Sequence, residues 1–126
     1  MKRLWFGVAL LILLLVLGCT VTAYAARTQD AVCSRLRQAH AAAGENLWEA
    51  AADYCRQAEE IWKQQQHLLA AIADHEPMEE VEALFCQLKI YLGTEDPAAF
   101  AAACTNLEVF VRAIGEAHSI SWWNIL

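Results

Sequence analysis

Residues Trp48 to Ile72 read WEAAADYCRQAEEIWKQQQHLLAAI. Trp48, Ala51, Cys55, Ala58, Trp62, Gln65, Leu69 and Ile72 follow one another at alternating steps of three and four. Tyr54, Ile61 and Leu68 widen that line at intervals of seven. A stripe of this width, with charged residues on the other side, predicts a helix that packs one face into a bundle. Gln65 is its only polar member. The helix is expected to end near His75, because Pro77 disfavours helical geometry at the residue before it.

The same period extends outward in both directions. On the N-terminal side Val32, Leu36, Ala39 and Ala43 predict a helix from about Thr28 to Ala43, stopped by Gly44. On the C-terminal side Pro77 suits a first helical position. Val81, Leu84, Phe85, Leu88, Tyr91 and Leu92 then form one apolar line. Ala83, Cys86 and Ile90 form a second, so this helix is expected to be covered on two faces. Thr94 or Asp96 caps a further helix with Pro97 in its first turn, carrying Phe100, Cys104, Leu107, Val111 and Ile114. An apolar tail follows from Ser119 to Leu126. Short connections between long helices imply antiparallel neighbours. The expected fold is therefore all-α: an N-terminal transmembrane helix followed by an antiparallel up-and-down bundle of four helices. A tetratricopeptide arrangement is disfavoured by the length of the Trp48 helix and by the lack of a 34-residue period.

Further upstream, Leu4 to Ala26 is free of charged side chains, and Lys2 and Arg3 precede it. At about 1.5 Å per residue this segment is roughly 35 Å long, enough for a hydrocarbon core of about 30 Å. Trp5 and Tyr24 stand near its two ends. The charge bias predicts a single-pass span in the cell membrane, with the N-terminus cytoplasmic and the rest outside. Two other readings stay open. Ala23-Tyr24-Ala25 fits a signal-peptide cleavage site. Val16-Leu17-Gly18-Cys19 resembles a lipobox with Cys19 as the lipidated residue. Residues 1–26 are thus an anchor or leader, and residues 27–126 an extracytoplasmic helical domain. If the span and the next helix were one rod along the membrane normal, the Trp48 helix would carry Asp74 and Glu76 back into lipid, which is costly. A hinge near Arg27–Asp30, or a tilted bundle, is the expected remedy.

From Arg27 onward seven Lys/Arg stand against fifteen Asp/Glu, a net charge of −8. So acidic a domain lacks the footprint for nucleic acid, whose binding depends on phosphate neutralisation. No Ser-His-Asp pattern, P-loop or glycine-rich phosphate cradle is present. No C-x-x-C or H-x-x-x-H spacing suggests zinc, so no metal or cofactor is expected.

Four cysteines follow the leader. Cys33 and Cys55 lie eleven residues either side of Gly44; Cys86 and Cys104 lie eight and ten residues either side of Thr94. In an oxidising compartment this predicts disulfides Cys33–Cys55 and Cys86–Cys104. The alternative is four thiols packed as small apolar groups. His40, His75 and His118 are expected in last turns of helices, where a cation opposes the dipole favourably. His67 is expected to be solvated. Trp48 and Trp62 belong to the core stripe. Trp122 and Trp123 are adjacent, and with Ile125 and Leu126 they must dock on the bundle, a partner or the membrane interface.

Several short elements carry a family resemblance: the N-terminal membrane segment, Gly44-x-x-x-Trp48-x-x-Ala51, Glu60-Ile61-Trp62-Lys63, Asp74-His75-Glu76 and Trp123-Asn124-Ile125-Leu126. With these the chain resembles the family built on domain of unknown function 4363, small proteins of Gram-positive bacteria. The resemblance implies a membrane-anchored, extracytoplasmic helical protein and implies no activity. Asp74, His75 and Glu76, with Trp122, Trp123 and Asn124, are the expected interaction surface. The expected function is a non-enzymatic accessory or scaffold subunit that binds another envelope protein. The alternative is a module holding a small apolar or lipidic ligand between Trp48, Trp62 and the tail. Self-association into a homo-oligomer is a further expectation left open.

Overall fold

The structure is a computed structural model that describes the backbone over residues 1–69 and 76–125, and the side chains over residues 1–67 and 77–117. Four helices account for nearly all of it: α1 (Lys2–Gly44), α2 (Trp48–Leu69), α3 (Glu76–Thr94) and α4 (Pro97–Ile125). Helix α1 packs on α2 and α4, and α3 completes the ring by packing on the same two. The fold is all-α, an up-and-down antiparallel arrangement with α1 and α3 on one diagonal and α2 and α4 on the other.

Helix α1 is a single rod of 43 residues. It holds no proline and no paired glycines, so nothing in it forces a kink. The hinge expected near Arg27–Asp30 is not there: the helix runs straight through those residues. Its two halves differ in how they are covered. From Leu4 to Leu17 every side chain is exposed. From Val32 onward one face is buried, with Val32, Cys33, Leu36, Ala39, Ala42 and Ala43 in the core.

The first turn shows how α1 stops. Asn46 has φ 64°, and Asn is one of the few side chains that tolerate this left-handed region. Asn46 N donates to Ala43 O at 3.0 Å and Leu47 N donates to Ala42 O at 2.9 Å. This is a Schellman closure with Asn46 as the left-handed residue. Gly44, the expected stop, is an ordinary helical residue. Asn46 Oδ1 also accepts from Trp48 Nε1 at 2.9 Å and so fixes the start of α2. The α3–α4 turn also places a non-glycine residue in the left-handed region, Glu95 at φ 52°. Asp96 Oδ1 then accepts from Ala98 N at 3.1 Å and Ala99 N at 3.2 Å, the expected N-cap.

The core is one cluster. Leu36, Val32, Phe85, Val81, Leu88, Phe100, Leu107 and Val111 fill it, with Trp62 and Ala58 from α2. Trp48 meets Phe100 edge to face, with ring centroids 5.9 Å apart. Small residues, Ala39 and Ala43 on α1 with Ala51 and Ala58 on α2, let the first two helices approach closely. Two acidic side chains tie the helices outside the core. Glu108 of α4 joins Arg37 of α1 at 2.8 Å and Arg112 at 3.3 Å. Glu59 of α2 joins Lys89 of α3 at 2.8 Å and Lys63 at 3.3 Å. The second apolar line of α3 is a correction: Ala83, Cys86 and Ile90 are exposed, Ile90 at 63%. In a four-helix ring α3 has only α2 and α4 to lean on, so one side of it stays uncovered.

Counting along the axis settles where the bundle meets the apolar span. Glu76 lies 18 residues before the end of α3, which brings its backbone level with Ala26 of α1. On the descending side α2 reaches the level of Ala23 at Leu69, so the lower end of the bundle overlaps the last turn of the uncharged segment. Helix α4 is longer than expected. The Ser119–Leu126 tail does not begin a separate segment, because the helix continues to Ile125.

Candidate functional site

The candidate site residues fall into two groups, the thiols and the end of the bundle nearest the apolar half of α1. All five cysteines are free thiols; Cys33, Cys55 and Cys104 are buried, Cys19 and Cys86 exposed. The expected Cys33–Cys55 and Cys86–Cys104 bonds are not formed, for two separate reasons. The first turn holds three residues, so the level partner of Cys55 across it is Arg37; Cys33 sits one turn further down, about 6 Å away along the axis. Cys86 and Cys104 are level, but Cys104 faces the core and Cys86 faces outward. Spacing from a turn sets height along a helix and leaves the direction around it open.

Burial governs the chemistry of the inner thiols. Loss of water pushes Cys55 and Cys104 up to about 12, with Glu59 adding to the rise at Cys55, and Cys55 and Glu108 adding to it at Cys104. Cys33 is raised by burial too, against the opposing pull of Arg112. It sits 3.9 Å from Glu108 O as a weak sulfur donor. These are protonated, inert thiols and not nucleophiles. Cys19 lies on the exposed surface of α1, within the apolar half of the helix.

At the end of the bundle nearest the apolar half of α1, α2 presents Trp62 and Gln65 to the interior, one turn apart and each 2% exposed. Trp62 Nε1 and Gln65 Oε1 have no hydrogen-bond partner among the described residues. At the same height on α1, Gln29 faces α4 so closely that a Cβ on Gly115 would collide with the Gln29 carboxamide. Only a glycine lets the two helices keep this approach without moving that side chain. The expected surface residues Asp74 and His75, and the side chains of Glu76, Trp122, Trp123 and Asn124, lie outside the described residues. His118 lies outside them as well. His40 is exposed one turn before the end of α1, and His67 is exposed near the end of α2.

Two surface hollows are formed by described residues. One of about 330 Å³ runs along α1 beside Leu15, Val16, Cys19, Thr20 and Ala23. The other, of about 380 Å³, surrounds the first turn from Asn46 to Ala50. Neither lies between Trp48 and Trp62, where an apolar ligand was the alternative expectation. Among the described residues no group of three or more His, Cys, Asp or Glu side chains is placed to hold a metal ion.

Sequence reasoning missed the cross-helix ties. Glu59–Lys63 and Glu108–Arg112 are visible as pairs four apart, but their partners Lys89 and Arg37 come from distant helices. Nor did it single out the Gln29–Gly115 approach, although a lone glycine inside an apolar helix is a signal of close backbone contact.

A single long helix, bare and apolar at one end and built into a four-membered bundle at the other, defines a class of small helical domains led by a helix long and apolar enough to cross a membrane. Within that class, the chain belongs to the family of domain of unknown function DUF4363, which matches residues 19–125. No curated protein and no solved structure matches it.

Proposed function

We propose that this protein is a non-enzymatic accessory or scaffold subunit, tethered to the cell membrane by α1, whose helical domain binds another envelope protein. The observation that carries this is the division of α1 into a wholly uncovered apolar half and a half that belongs to the bundle core. A rod shared in this way transmits position: the domain stands at a set height and orientation above the bilayer. The excess of Lys2 and Arg3 before the span favours a cytoplasmic N-terminus and an extracytoplasmic bundle. The uncovered line of Ala83, Cys86 and Ile90 on α3 supplies an apolar contact surface facing away from the core. The acidic exterior suits a soluble domain that does not lie flat on anionic headgroups.

A photocrosslinking residue at Ile90, introduced into the full-length protein in its native membrane, tests this reading. One defined heteromeric adduct, absent when the probe stands at exposed Gln38 of α1, is the expected result. Adducts between copies of the chain alone would replace the accessory role with a homo-oligomer.

A further inference from the structure

We propose that the C-terminal end of α4 is a second membrane contact, inserted beside α1 into the outer boundary of the bilayer, with Trp122 and Trp123 at the level of the acyl–headgroup junction. The inference rests on the reading of α1 as a retained membrane span and does not depend on any protein partner.

The register comes from one contact. Gly115 of α4 lies against Gln29 of α1. Gln29 stands three residues beyond Ala26, the outer end of the uncharged segment. The helices are antiparallel, so each step along α4 past Gly115 descends one step along α1. Helix α4 does not stop at the surface; it continues for ten residues, to Ile125. At about 1.5 Å per residue that is some 15 Å of further helix. Trp122 and Trp123 are then carried to the level of Thr22 and Val21, roughly 6–8 Å inside the outer edge of the span. Interfacial helices bury to about that depth, and tryptophan concentrates there.

The composition changes where the geometry requires it. The bundle part of the chain is acidic, yet Ala117 to Leu126 contains no Asp, Glu, Lys or Arg. The last ionisable acid, Glu116, is one residue past the Gln29 contact, above the span. The residues beyond it include Ile120, Trp122, Trp123, Ile125 and Leu126. A water-facing extension of a soluble bundle has no use for such a segment, and a helix that enters lipid does. The surface of α1 agrees. The face that bears Ala39 and Val32 continues at a step of seven to Ala25, which is half-buried, as are Thr28 and Gln29 just above it. Leu17, Val21 and Tyr24 below them are exposed. The docking face of α1 thus extends to the outer end of the uncharged segment, where α4 continues downward past Gly115.

Two contacts change what the tether does. One helix leaves the bundle free to swivel about α1; a second helix entering the same leaflet fixes its azimuth and its tilt.

The wild-type, full-length protein reconstituted in phosphatidylcholine vesicles provides the test, with a phosphatidylcholine that carries a photoactivatable diazirine in its acyl chain. After irradiation and tryptic digestion, adducts are mapped by mass spectrometry. The expected result is labelling of the Leu4–Arg27 and Ala113–Leu126 peptides, each about tenfold above the Gln38–Arg56 peptide, the contrast between a segment in the acyl layer and one outside it. Labelling of Leu4–Arg27 alone overturns the proposal and leaves the tether standing, with the tail on the bundle or on a partner. Labelling of neither overturns both.

Discussion

The two halves of α1 make the same backbone and opposite surfaces. Between Leu4 and Leu17 the helix is apolar all round and bare, with Leu10, Leu11 and Leu17 each 59% exposed. Between Val32 and Ala43 it is apolar on one face only, while Arg35, Arg37 and Gln38 occupy the rest. Every backbone group inside either half is satisfied by the helix itself, so the choice of environment falls to the width of the apolar face. A full circumference of leucine has no counterpart in the bundle and matches lipid. A stripe matches α2 and α4. Because no helix breaker separates the halves, the change of surface along α1 costs no change of secondary structure.

This contrast can be broken from either side. The largest effect is expected from charge in the bare half. Leu11→Arg with Leu14→Arg places two cations mid-span at about 3 kcal/mol each, and the protein should leave the carbonate-resistant membrane fraction while its thermal unfolding is unchanged. If the bundle melts early in that variant, the halves are not independent in the way described. The mirror-image change is Phe100→Ala, which removes a ring that is wholly buried against Trp48. Denaturant unfolding should show a loss of about 3–5 kcal/mol, with membrane retention intact.

A smaller effect concerns the thiols. Cys33, Cys55 and Cys104 should resist a water-soluble maleimide near neutral pH until the bundle is unfolded, whereas Cys86 reacts at once. The sign of the pH effect follows from the raised values. Below the ordinary thiol pKa of about 8.5 both states hold their protons and stability is flat. Above it the unfolded chain ionises while Cys55 and Cys104 stay protonated up to about 12, so stability falls as pH rises. The slope is about 1.4 kcal/mol per pH unit per thiol, and Cys104→Ala should reduce it by one thiol's share. Alkaline stability that does not decline would mean the inner thiols are reached by water.

The smallest effect is at the acid end. Burial raises Glu59, but the hydrogen bonds and charges of Lys89 and Lys63 outweigh it and hold the carboxyl below the usual glutamate range. A depressed acid stabilises the folded state above its unfolded pKa of about 4.3, and that contribution is lost as pH falls through the lower folded value. Both lysines are 56% exposed, so Glu59→Gln should cost less than about 1 kcal/mol at neutral pH and should flatten the acid limb of the stability curve. An unchanged acid limb would show that the α2–α3 tie contributes nothing.

The contrast along α1 was legible in the chain because it is a contrast of periodicity. An uninterrupted apolar run and a stripe at steps of three and four are distinct patterns, and both the span and the α2 stripe, down to buried Gln65, appear where those patterns stand. Asp96 as a cap was legible for the same local reason. What was hidden depends on direction around an axis or on distant partners. The outward direction of Cys86 and the open side of α3 come from the number of helices in the ring, which no single helix encodes. The left-handed stop moved from Gly44 to Asn46 because asparagine tolerates that conformation nearly as well, and Asn46 also fastens Trp48. The unbroken passage through Arg27–Asp30 was obscured by an argument from helix lengths, whereas continuity there follows from the lack of any proline or paired glycines in α1.

The continuity of α1 is best tested by the distance between its two halves in a bilayer. Genetically encoded spin labels at Val8 and His40, both exposed, leave the native cysteines untouched in the full-length protein. Pulsed dipolar spectroscopy of the reconstituted protein should give one narrow distribution centred at about 48 Å, the length of 32 residues of straight helix. A broad distribution, or one centred well short of that length, would place a joint between lipid and bundle and contradict the shared rod.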